Sequence, residues 1–346
     1  MAREGRRNVA SIKDVAMLAK VSVPTVSRYL NNRERVSEEK RQSISDAIDK
    51  LNYRPNPIAR ALVKDRTDTV MVLSTSTALY GPSRTIQGIE DAARKAGYSM
   101  SVAVLTDDER GGLESFVRSC LDQNPAGVIL LNFDAISAAA YKFLPASLPT
   151  VLVAGNRQSG VAQISLCEEQ GGYEVTRYLL NLGHHTVWHV SIPGGVGSYT
   201  RMNGWRRALE EVEAPAVAPI ETTWDPDDAR KIGRELGDNP SVTAIFAGND
   251  EVAMGLIRGL GDSGRRVPED ISVAGFDDHP LAKIWSPALT TVRQDFNVAG
   301  ARAFELLKHE IEDVAQGVRR IEKWNQLVQV SGELIIREST GKSLSS

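Results

Sequence analysis

Two hydrophobic rhythms divide the chain. Over residues 12–51 apolar positions recur at helical spacing: Ile12, Val15, Ala16 and Ala19, a break at Lys20 and Val21, then Val26, Tyr29 and Leu30. Ser22 stands where it can cap the second of these helices, and two helices joined by so tight a turn predict a helix-turn-helix. Ser37, followed by Glu38 and Glu39 that suit the helix dipole, predicts the start of a third helix with Ile44, Ala47, Ile48 and Leu51 on one face. From Thr69 the rhythm changes. Continuous apolar runs (TVMVLS, MSVAVL, GVILLN, TVLVA, TVWHVSI, TAIFAG and ISVAGF) alternate with amphipathic helical segments entered through Gly, Pro, Ser or Asp. Such alternation predicts an α/β architecture whose parallel strands are covered by helices on both faces. In one of those helices Ser83 is the expected cap, Ile86, Ile89, Ala93 and Ala96 line a face, and Gly97 ends it.

Between the two rhythms lies RPNPIARALVKDR, residues 54–66. Pro55 and Pro57 rule out continuation of the third helix, and IARAL is too short to be helical alone in water. Residues 1–10 read as a flexible basic arm. A chain of 346 residues exceeds one ordinary core, and 42% hydrophobic with 25% charged residues is a globular composition. Charge changes this picture. Residues 1–66 carry 15 Lys and Arg against 8 Asp and Glu, a charge of +7, which leaves −10 on the remainder of a chain totalling −3. That asymmetry is the footprint of a nucleic-acid-binding head on an acidic body. No apolar run reaches the roughly 18 residues of a membrane span, and no apolar stretch follows the arginine-rich N-terminus, so no membrane partner and a cytoplasmic location are expected. Cys120 and Cys167 lack metal-site spacing and are expected as reduced thiols.

Enzyme motifs are weak. GGVGSYT at 194–200 has Thr200 where a GxGxxG fingerprint needs its last glycine, no GxxxxGK[ST] exists, and neither a catalytic group nor a cofactor is expected. His184 and His185 follow Gly183 at a helix end, where a positive charge suits the dipole. Polar residues instead collect at strand ends: Thr75, Asn132, Asn249 and Asp277. Ligands of open α/β sheets bind there. Arg201 opens a helix, Trp224 follows a strand, and Gln294 and Phe296 lie at a crossover. Arg, Asn and Asp beside a Trp suit a sugar, whose hydroxyls need donors and acceptors together and whose ring face stacks on an aromatic.

VSVPTVSRYLNN followed by VSEEKRQSISDAIDKLNYRPNPIARAL resembles the LacI/GalR (lactose/galactose repressor) family of bacterial transcription regulators. The likeness continues through ALYGPSRTIQGIEDAARKAGY, GWRRAL, AIFAGNDEVAMG, ISVAGFDDHPLA and PALTTVRQDF, and is nearest to the lactose-repressor-like branch. It implies an all-α helix-turn-helix head at 11–53, a linker with a hinge helix at 54–66, and a periplasmic-binding-protein-like core at 67–340 before a tail at 341–346. The core is expected as two doubly wound parallel-sheet lobes. Residues 67–165 and 297–323 form the N-lobe, 166–293 and 327–338 the C-lobe, with crossovers near 163–167, 294–297 and 322–328.

By the same resemblance Val23, Pro24 and Arg28 occupy base-reading positions, and Ser22, Thr25, Ser27 and Asn31 suit phosphate contacts. Pro24 and Val23 depart from the polar groups common in relatives, so the half-site cannot be copied from them. Leu62 matches a leucine that enters the minor groove when two hinge helices meet on DNA, with Ala59 facing the partner helix. Thr75, Leu79, Asn132, Arg201, Trp224, Asn249, Asp277, Gln294 and Phe296 match effector-contact positions, which makes a galactoside inducer the leading effector. Where that branch commonly has an aspartate, TVLVAGN places Ala154 and Gly155, so that either one sugar hydroxyl loses its acceptor or Asn156 takes its place. The expected partners are pseudo-palindromic operator DNA, a small sugar and a second copy in a homodimer. The alternative is a corepressor-type regulator that answers to a purine or other non-sugar metabolite.

Overall fold

The computed structural model describes residues 10–31, 33–53, 67–106, 112–154, 157–193, 200–317 and 326–343. The hinge residues Ala59 and Leu62, the acceptor candidate Asn156 and the side chain of Asn31 lie outside what is described. The chain divides into two units at Thr67.

The first unit is helical. Helix α1 (Ile12–Leu18) opens on a capping box: Asp14 N donates to Ser11 Oγ at 3.4 Å and Ser11 N donates to Asp14 Oδ2 at 2.8 Å. Lys20, at φ 53°, turns the chain, and Ser22 caps α2 (Val23–Asn31) by accepting Thr25 N at 3.3 Å. Helix α3 (Glu38–Leu51) starts after Ser37 without a side-chain cap bond, its first turn carried by Glu38 and Glu39, and ends at Asn52 in the left-handed region. Val15, Val26, Tyr29, Ile44 and Ala47 form one core, with Ile12, Leu30, Ile48 and Leu51 packed around it as the periodicity predicts.

The second unit holds two parallel sheets. The first has the order β11 (Leu327–Gln329), β5 (Ala162–Ser165), β4 (Thr150–Ala154), β3 (Gly127–Leu131), β1 (Thr69–Ser74) and β2 (Ser99–Val104), and every pairing is parallel. Strand alternation sends Val70 and Val72 to one face, where α4 (Tyr80–Lys95) and α11 (Phe296–Ala315) cover them with Ile89, Phe304 and Leu307. Met71 and Leu73 go to the other, against Val117 and Cys120 of α5 (Gly112–Leu121) and Ala140 of α6 (Ala135–Tyr141). The second sheet runs β7 (Ile220–Glu221), β6 (Trp188–Ser191), β8 (Ala244–Ala247) and β9 (Ser272–Ala274). Helices α7 (Glu168–Asn181) and α8 (Thr200–Glu210) cover one face, α9 (Pro226–Gly237) and α10 (Asp250–Asp262) the other. An antiparallel pair, β10 (Thr291–Arg293) and β12 (Glu333–Ile335), continues from β9 through bridges at Ala274–Thr290 and Asp277–Arg293. Among the described residues no helix is long and apolar enough to cross a membrane.

Three expectations need correction. Residues 327–329 belong to the N-lobe sheet rather than the C-lobe, because Leu327–Gln329 pair with Gln163–Ser165 and Val330 N donates to Ser165 O at 2.8 Å. The third crossover therefore falls at 330–332, before β12 enters the C-lobe. Helix α4 begins at Tyr80, so Ser83 lies within its first turn and donates to Tyr80 O at 2.9 Å instead of capping it. Ser76 arranges that entry by accepting the N–H groups of Ala78 and Leu79, and Pro82 fits a first turn whose N–H groups have no helical partner. His184 is not a cationic helix end. It is buried, contacts Thr243 Oγ1 and Ser272 Oγ at 3.0 Å, and burial holds its pKa below the usual histidine value.

Candidate ligand cavity and nucleic-acid interface

The carboxyl ends of the strands face each other across the two lobes and enclose a cavity of about 600 Å³. Thr75, Leu79, Asn132 and Phe296 line it from the N-lobe, and Arg201, Trp224, Asn249 and Asp277 from the C-lobe. Gln294, expected beside them, is not in the lining. It is buried at the second crossover and packs against the third, where a Cβ on Gly332 would come within 2.6 Å of its Nε2. Ala154, the departure from the branch pattern, is the last residue of β4 and pairs with Ser165 of β5.

Arg201 organises the C-lobe wall. The first turn of α8 buries it, and its Nη2 lies 2.7 Å from Glu168 Oε1 and 3.1 Å from Asp277 Oδ1. Its Nε also reaches Glu168 at 3.1 Å, Nη1 donates to Gly248 O, and the guanidinium carbon sits 4.2 Å over the Phe276 ring. Thr200 Oγ1 donates to the second oxygen of Glu168 at 2.8 Å. Desolvation works against the charge of Arg201, but Asp277 and Glu168 outweigh it and the pKa is raised.

Asp277 is presented on a strained turn, φ 103°, with Asp278 at 55°. Asp277 N donating to Val292 O at 2.8 Å holds that turn, and so does Asp278, bound by Arg293 at 2.8 Å and Arg337 at 2.6 Å. Burial pushes the Asp277 carboxyl up to about 7, with Arg201 opposing and Glu251 and Glu168 adding to the rise. Its Oδ1 meets the edge of the Arg201 guanidinium at 3.1 Å. Behind it Asp250 is wholly buried, accepting Thr291 Oγ1 and His279 N at 2.6 Å each, and burial raises its pKa well above the carboxylate range.

The remaining polar groups divide between structure and ligand. Asn249 caps α10 through Oδ1, which accepts Val252 N at 2.8 Å, and leaves its amide nitrogen for a ligand. Thr75 Oγ1 donates to Asp134, which itself caps α6. Asn132 Oδ1 is buried without a partner. Trp224 is 41% exposed at the rim, where a flat ligand face can stack on it. Glu168, Glu251 and Asp134 also line the cavity and were not among the expected residues. Each sits in or before the first turn of a helix, where an acidic residue reads as a dipole partner.

In the helical unit, Pro24 and Arg28 are exposed one turn apart on α2. Val23 instead leans on the core of the head. Ser22 is exposed, and Thr25 and Ser27 are half-buried beside it. Ser22 Oγ and Thr25 Oγ1 are 2.8 Å apart and hold each other as well as the helix start.

A model for the lacI family of bacterial regulatory proteins matches residues 11–56, and one for the periplasmic binding protein-like domain matches residues 176–340. The HTH-type transcriptional repressor PurR of Vibrio atlanticus (strain LGP32) is 32% identical over 338 residues, 93% of this chain and 98% of the relative. The chain belongs to the lacI family of bacterial regulatory proteins. As a lacI-family protein it shares its fold with the Lac repressor dimer bound to operator and the anti-inducer ONPF, with a TM-score of 0.83 at 27% identity over 96% of this chain and 99% of that one. A complex of the transcriptional regulator CelR with cellobiose gives a TM-score of 0.69 at 27% identity, over 95% and 99%. The helix-turn-helix head and the effector-binding core are thus the two working parts of this lacI-family chain.

Proposed function

We propose that this protein is a transcriptional repressor whose affinity for operator DNA is set by a small sugar bound between the lobes, with a galactoside inducer as the leading effector. The observation that carries this reading is the cavity itself. Its wall combines a buried Arg201, Asn249 and Asp277 with unsatisfied acceptors and an exposed Trp224, the chemistry that recognises a ring of hydroxyls. The cellobiose complex of a relative supports it. Two heads of a homodimer read the half-sites of a pseudo-palindrome, with Arg28 able to fork onto guanine from the exposed face of α2. Ligand that favours one arrangement of the lobes changes the spacing of the two linkers, and DNA affinity falls.

A second reading, a purine corepressor, is favoured by the likeness to proteins named PurR. In either reading the ligand occupies the cavity that Asp277 lines. Its replacement in Asp277→Ala is expected to abolish the effector response while leaving operator affinity within about twofold, because the head is a separate unit. Fluorescence anisotropy with and without effector checks this, and an unchanged dose response would remove Asp277 from the site.

A further inference from the structure

The charges around the cavity do not balance. Its charged lining among the described residues is Asp134, Glu168, Glu251 and Asp277 against a single cation, Arg201. That guanidinium is already engaged by Glu168 through two nitrogens and by Gly248 O through the third. Asp277, 6% exposed, keeps only the edge of it, with Oδ1 3.1 Å from Nη2. The Oε2 of Glu251 is buried without a hydrogen-bond donor. Asn132 Oδ1, on the opposite lobe, is a second such acceptor. Two buried oxygens, Glu251 Oε2 and Asn132 Oδ1, therefore lack donors in a cavity whose surplus charge is negative, and buried polar atoms in native proteins are satisfied by something. An anionic ligand would add to the repulsion. Among the described residues no three of these side chains converge as metal ligands would, so an inorganic cation does not answer the imbalance.

Resting on the sugar reading above, we propose that the effector is an amino sugar whose protonated amine is held by Glu251 and Asp277, while its hydroxyls meet Asn132 and Asn249. An ammonium brings three donors and one positive charge, and hydroxyls bring the rest. Glu251 is then the residue that separates amino from neutral sugars. The pKa of Asp277 points the same way: burial raises it and the neighbouring Glu251 raises it further, and a cation between the two removes that penalty.

Calorimetric titration of the full-length protein with galactose, galactosamine and N-acetylgalactosamine, and with the corresponding gluco sugars, tests this at pH 7. The amine is expected to bind at least about tenfold more tightly than the matching neutral hexose and amide, the gain usual for a charge-assisted bond. Glu251→Gln is expected to bring that ratio close to one, with circular dichroism confirming that the variant folds. A neutral hexose binding as tightly as its amine in the wild-type protein would overturn the amine assignment and leave the sugar reading standing. Failure of all six sugars, with binding of hypoxanthine or guanine, would overturn both.

Discussion

His189 shows how strongly a single environment can hold a proton off. It is 3% exposed, stacked between Phe246 at 4.7 Å and Trp205 at 5.4 Å, and its Nδ1 donates to Phe246 O at 2.9 Å. Burial is the largest cause that lowers its pKa, from 6.5 to about 4. The neutral form is the one the fold accepts, so its contribution is complete above pH 6.5. It is lost as pH falls toward 4, because the unfolded chain takes the proton first. Asp277 acts in the opposite sense, since a raised carboxyl favours the protonated fold below about 7. The two partly cancel in the whole-protein profile, and a variant separates them. The stability advantage of wild type over His189→Phe in urea is expected to shrink by up to about 3 kcal/mol between pH 7 and pH 4.5. A pH-independent difference would mean that His189 titrates alike in the folded and unfolded chain. At this scale, residues at strand ends were legible: Thr75, Asn132, Asn249 and Asp277 all line the cavity. Glu168 was not, because its partner Arg201 lies 33 residues away and only the packing of α7 on α8 joins them. Nor does a sequence tell that Asn249, rather than Asp250, caps α10.

Helices in this fold approach each other through glycine. A Cβ on Gly88 of α4 would stand 2.2 Å from Asn297 O, and one on Gly300 of α11 would stand 2.1 Å from Thr85 O. The two helices therefore meet backbone to backbone, which sets where Leu79 and Tyr80 at the start of α4 stand relative to Phe296 at the start of α11. Tyr80 and Phe296 meet edge to face with ring centroids 5.9 Å apart. Gly88→Ala is expected to cost about 1–3 kcal/mol by forcing this pair apart. Gly261→Ala, in a helical position with nothing within 4 Å, is expected to stabilise by up to about 1 kcal/mol. Urea denaturation of the two variants compares them, and equal effects would mean that helix propensity rather than packing decides. The amphipathic pattern of α4 was legible in Ile86, Ile89 and Ala93, but its start was not. Serine at position 83 looks like a cap, and the real entry is built from Ser76 and Pro82, whose roles appear only once β1 has delivered the chain to the cavity.

At the scale of the molecule, the lobes are joined by short crossovers at 166–167, 294–295 and 330–332, and they touch across the cleft where Tyr80 meets His279 at 4.8 Å. Composition and periodicity were enough to separate a basic helical head from an α/β body, because the hydrophobic period changes at Thr69. The division of that body into lobes was not periodic information. It depends on which strands pair, and Leu327–Gln329 joined the N-lobe through partners more than 160 residues earlier. Such a hinged core can report ligand only through its differential affinity for two lobe arrangements, typically worth about 1–3 kcal/mol of coupling. The most direct measurement is the anisotropy of a labelled palindrome from the gene's own upstream region, titrated with the full-length protein and then with galactosides, glucosides and purines at fixed salt. Tight binding released by a galactoside, neutral or amino, is the expected result. Tight binding that only a purine strengthens would contradict it.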